Sequence, residues 1–67
     1  MTQAKRDARQ RRIVRALSHG NTVKDIAGDL QLSFRTVEGI VDEIRMQYKC
    51  HNIAHIVATF IRKGLIK

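Results

Sequence analysis

Apolar residues recur at three- and four-residue intervals in four stretches of this chain, each bounded by a short polar break, and that spacing predicts four amphipathic helices. The stretches are Ile13, Val14 and Leu17; then Val23, Ile26, Ala27 and Leu30; then Val37, Ile40, Val41, Ile44 and Tyr48; and finally Ile53, Ile56, Val57, Phe60 and Ile61. In 67 residues there is room for one hydrophobic core, so the expected architecture is all-α, a single four-helix domain. A hydrophobic share of 43% with no Pro places the chain among ordered globular proteins. A core of this size leaves only about a few kcal/mol after conformational entropy, and oligomerisation is the natural supplement.

Turn and cap residues set the expected boundaries. Asp7 is a candidate cap for the first helix, with Gln10 completing a capping box, which divides the chain into a basic arm at 1–6 and a helical domain at 7–67. Gly20 suits the left-handed residue that closes a helix, Thr22 caps a second helix over about 23–31, and Ser33 caps a third after a turn holding Leu32. Residues 49–52 break the pattern before a fourth helix that runs from Ile53 towards Gly64.

The second and third helices carry the spacing of a helix-turn-helix. Counting from Val23, Ile26 and Ala27 are an apolar-then-small pair, Leu30 and Leu32 flank the turn, and Val37 and Ile40 anchor the third helix. An ordinary helical hairpin shares some of this pattern but not the charge that accompanies it. The formal net charge is +7, and six cations against Asp7 place +5 of it in the first 15 residues. Such a balance points to a polyanion, duplex DNA first and an anionic membrane face second.

Taken together, Arg9, the run from Ile13 to Leu17, Gly20, Ile26, Ala27, Leu30, Ser33, Arg35, Thr36, Val37, Val41, Ile44, Asn52, Ala54, Val57, Ala58 and the closing Gly64, Leu65 and Ile66 resemble the LuxR/FixJ-type (GerE-like) DNA-binding domain of bacterial transcription regulators. The resemblance runs from about Arg9 to Ile66. It implies a wingless helix-turn-helix domain whose third helix enters the major groove and whose fourth helix joins two copies in a homodimer. It also implies a stand-alone regulator, or a partner of one, because no signal-binding domain precedes these residues.

The third helix departs from that pattern. Between 33 and 48, Arg35 and Arg45 face Glu38, Asp42 and Glu43, a net charge of −1 on an element that reads base edges in the family. Glu38 and Asp42 are one turn apart, opposite the apolar stripe. They either accept hydrogen bonds from cytosine amino groups, stand solvated at the edge of the groove, or turn the helix towards a protein partner. The candidate DNA contacts are Arg35 and Thr36 at the start of the third helix, Glu38, Gly39 and Asp42 along it, Thr22 and Lys24 at the start of the second, and the basic cluster Lys5, Arg6, Arg9 and Arg12. The alternative to a cluster on the phosphate backbone is a merely solubilising helix face.

Ile53, Ile56, Val57, Phe60 and Ile61 form a stripe broader than one packed face needs, and are the candidate dimer interface; sealing a small bundle is the competing use of the same residues. Cys50, His51 and His55 lack a fourth ligand, so no metal is expected, and no catalytic constellation or cofactor motif is visible; the chain is not expected to be an enzyme. A lone cysteine fits a reducing compartment, and no apolar run approaches the roughly 20 residues of a membrane span, so a cytoplasmic protein is expected. Two functions are therefore carried forward: a dimeric, sequence-specific DNA-binding regulator, and an antagonist that pairs with a related transcription regulator through its last helix.

Overall fold

The computed structural model describes residues 2–67, and Met1, at the head of the expected arm, lies outside them. Four helices follow in order: α1 (Gln3–Ser18), α2 (Val23–Leu30), α3 (Phe34–Gln47) and α4 (Ile53–Arg62). No strand interrupts them among the described residues. α2 packs on α3, and α1 lies across the bundle against α4 and α3.

α1 starts earlier than the sequence suggests. Thr2 is its cap, accepting the amide of Lys5 at 3.2 Å, and Asp7 sits inside the helix, where Gln3 Nε2 donates to it at 2.9 Å. A hydroxyl cap was already available upstream, and Ala, Lys and Arg between the two positions all favour helix, so nothing delays nucleation until Asp7. Lys5 and Arg6 are thereby ordered on the first turns. Gln10, the expected partner in an Asp7 capping box, is instead 3% exposed and donates to Gln47 at the end of α3 at 3.3 Å.

The caps of α2 and α3 fall where the sequence puts them, and Asn52, which the sequence placed only in a break, proves to be the cap of α4. Gly20 adopts φ +87°, and Thr22 caps α2 by accepting the amide of Asp25. α2 ends at Leu30 rather than Gln31, because Gln31 takes the left-handed conformation at φ 56° and lets Leu32 N–H close back on Ala27 O at 2.9 Å. Ser33 caps α3 through the amide of Thr36, and Asn52 caps α4 through that of His55.

One cluster holds the fold together: Ile13 and Val14 from α1, Ile26 and Ala27 from α2, Val37, Ile40, Val41 and Ile44 from α3, Ile56 and Phe60 from α4, and Ile66 behind it. The Tyr48 and Phe60 rings meet edge to face at 5.0 Å, tying the end of α3 to α4.

Candidate nucleic-acid interface

The connection between α2 and α3 is as short as a helix-turn-helix requires. Gln31, Leu32 and Ser33 alone separate the two helices, and the left-handed Gln31 supplies the change of direction. Ala27, 5% exposed, shares the core with Val37 and Ile40, and its small side chain permits close approach of the helices.

With Val37, Ile40, Val41 and Ile44 turned inward, α3 presents Arg35, Thr36, Glu38, Gly39, Asp42 and Glu43 to solvent, all exposed. Ser33 satisfies the amide of Thr36 at 3.0 Å and donates its own hydroxyl to Thr36 Oγ1 at 2.8 Å. The amides of Phe34 and Arg35 make no hydrogen bond among the described residues, so the helix start offers two free donors beside the Arg35 guanidinium. Thr22 and Lys24 stand exposed at the start of α2, and Val23 between them lines one groove with Glu38, Asp42 and Arg45 of α3 and Ile53 of α4. The start of α2 and the acidic stretch of α3 therefore adjoin.

Asp25 fixes the start of α2. Its carboxylate accepts the Thr22 backbone N–H at 3.0 Å while Thr22 Oγ1 accepts the Asp25 amide at 3.1 Å, a reciprocal box. The Thr22 backbone N–H foremost, then a hydrogen bond from the Thr22 side chain, hold the Asp25 carboxyl below its ordinary value, with a further contribution from Lys24.

The α3 acids are only partly balanced. Arg45 Nη2 lies 3.5 Å from Asp42 Oδ1, an exposed pair worth at most about 1 kcal/mol, and it is the one ion pair among the described residues. Glu38 and Glu43 have none. Arg45 follows Asp42 by three residues, a spacing from which the pair is legible in sequence. Phe34 at 51% and Met46 at 69% exposure flank the acids, and apolar periodicity alone did not single them out as surface residues.

The basic cluster does not form a uniform face. Lys5, Arg6 and Arg12 are exposed on α1, whereas Arg9 is half-buried, and Arg9 and Arg12 line a groove with Ala8, Leu30 and Leu32. The last helix is likewise divided. Ile56 and Phe60 are 0% and 1% exposed, committed to the core of their own subunit, which leaves Ile53 and Ile61 exposed and Val57 half-buried along an outer row. The stripe looked broad in sequence because two adjacent rows, one inward and one outward, were read as one. Near it, His51 and His55 stack at 5.4 Å with the His51 amide donating to His55 Nδ1, while Cys50 is buried beside Thr59 Oγ1 at 3.5 Å.

Residues 8–60 match the family described as GerE, bacterial regulatory proteins of the luxR family. No curated protein and no solved structure matches the chain.

Proposed function

The chain belongs to the luxR family of bacterial regulatory proteins, and from that premise we propose that it is a transcription regulator that reads duplex DNA with α3 and pairs with a second copy through α4. The observation that carries this reading is the start of α3, where a capped helix N-terminus with two free amides, Arg35 and Thr36 stands exposed on a chain of net charge +7.

In this reading the Phe34 and Arg35 amides hold a backbone phosphate, and Arg35 reaches a base edge. Glu38 and Asp42 face the groove floor as acceptors for cytosine amino groups, an arrangement in which they repel phosphate but discriminate between bases. Gly39, exposed between them, keeps that surface low. Thr22 and Lys24 hold the backbone from the start of α2, and Lys5 and Arg6 add sequence-independent attraction. The outer row of α4, Ile53, Val57 and Ile61, closes the homodimer, which sets the two copies of α3 about one helical turn apart on DNA.

The net negative charge of α3 favours a second reading, in which the same α4 row pairs with a related regulator and the complex is kept from DNA. One experiment separates them: affinity for mixed duplex fragments measured across a salt series, with light-scattering mass in the same buffers. The regulator reading expects a dimer whose binding is strongly salt-dependent and which selects one sequence from a random pool. Absence of duplex binding at low salt overturns it in favour of the antagonist.

A further inference from the structure

Where α1 passes the α2–α3 turn, Ala8, Arg9, Arg12, Leu30 and Leu32 enclose an open groove of about 390 Å³. Leucine and arginine side chains line it together, and no acidic residue does. The Arg9 Nε is buried and makes no hydrogen bond. None of the α1 cations is ion-paired among the described residues.

We propose that this groove is a docking site for an acidic amphipathic helix of a partner protein, which seats an apolar side chain between Leu30 and Leu32 and sets carboxylates against Arg9 and Arg12. Charge complementarity selects the partner. A net +7 attracts an acidic surface, and the first 15 residues concentrate that field at the groove. The apolar walls select further: phosphate oxygens gain nothing from leucine, whereas a helix carrying leucine and glutamate on one face satisfies both halves of the groove. The groove shares no residue with the one that adjoins Glu38 and Asp42, so such a partner occupies a different groove from that one.

The test uses two labelled synthetic peptides of identical composition, one with Leu and Glu on a single helical face and one scrambled, together with a random-sequence DNA duplex. Binding is followed by fluorescence anisotropy and by amide chemical shifts. The patterned peptide is expected to bind about tenfold more tightly than the scrambled one, and to shift Ala8, Arg9, Arg12, Leu30 and Leu32. Arg12→Glu should weaken it about tenfold, clearly more than Arg15→Glu, an equal charge change at an exposed position outside the groove. Helical circular dichroism checks that both variants fold. Equal affinity for the two peptides, or equal losses from the two variants, would mean that only the overall field acts and overturns the proposal. So would a duplex that shifts these same amides and displaces the peptide, which gives the groove to DNA. The direct peptide titrations contain no DNA, so they fail or succeed independently of the regulator reading, and the duplex is added only in the separate competition.

Discussion

α1 and α3 share one core and turn opposite charges outward. The exposed side of α1 carries cations with no ion-pair partner among the described residues, while that of α3 carries three acids against Arg35 and Arg45, one of these already engaged by Asp42. A DNA-binding domain that concentrated both attraction and reading on α3 would need a basic helix there. In the regulator reading proposed above, the sequence-independent pull is displaced to α1, and α3 is left with side chains that discriminate more than they attract. On this view specificity is bought with affinity that α1 supplies from outside the groove.

The comparison breaks most completely if the element linking the two helices is removed. Phe60 reaches from α4, which packs on α1, to Tyr48 at the end of α3, and it is 1% exposed. Phe60→Ala is expected to cost about 3–5 kcal/mol, most of the stability of so small a domain. Urea unfolding followed by circular dichroism should show one transition at much lower denaturant, with α1 and α3 lost together. Two separate transitions would mean that the helices do not share a cooperative core. The neighbouring Ile61→Glu, on the exposed row, should change stability by no more than about 0.5 kcal/mol while reducing the light-scattering mass to that of a monomer.

Next in size is the division between reading and attraction. Arg35→Ala should cost about 1–3 kcal/mol on the best DNA site and less on random duplex. Glu38→Gln is expected to have opposite signs on the two substrates, tightening random duplex by removing repulsion and weakening the selected site by replacing a charged acceptor with a neutral amide oxygen. Anisotropy titrations on both duplexes measure the difference. If Glu38→Gln tightens both equally, the carboxylate is a solvated charge at the groove edge and α3 reads less than proposed.

Attraction from α1 should appear as a smaller, uniform effect. Lys5→Ala and Arg6→Ala are each expected to weaken all duplexes alike and to lower the slope of log affinity against log salt by about 1. An unchanged slope would remove α1 from the interface and leave the +7 without a use on DNA.

What could be read from the sequence follows from how local its cause is. Ser33 and Thr22 were legible as caps because a hydroxyl three residues ahead of an amide acts within one turn, and Val37, Ile40 and Ile44 because helical spacing fixes a common face. Asp7 was misplaced because Thr2 competed for the same role and local chemistry did not rank them. Gln10 and Phe60 depended on partners 37 residues away in Gln47 and across the bundle in Tyr48, which no spacing rule reveals. The exposure of the candidate residues on α3 was legible because helical spacing fixes which face turns outward. The split of the basic cluster was not, because it needed the α2–α3 turn folded against α1 to show that Arg9 and Arg12 flank leucines.

The smallest effect tests whether the start of α2 is held by its own capping box or only by packing on α3. Asp25 has a folded-state pKa below its ordinary 3.8, since the ionised carboxylate accepts the Thr22 backbone N–H. A lowered folded value means that the box contributes fully above about 3.8 and is lost as the pH falls through the lower folded value, when the unfolded state binds the proton more readily. Asp25→Asn removes this titration. The variant should melt slightly below the parent protein at neutral pH, and the gap should narrow on acidification as the parent's carboxylate protonates and loses the same bond strength. A constant gap across that range would place the contribution of Asp25 elsewhere, and would leave Thr22 and Lys24 positioned for DNA by the α2–α3 packing alone.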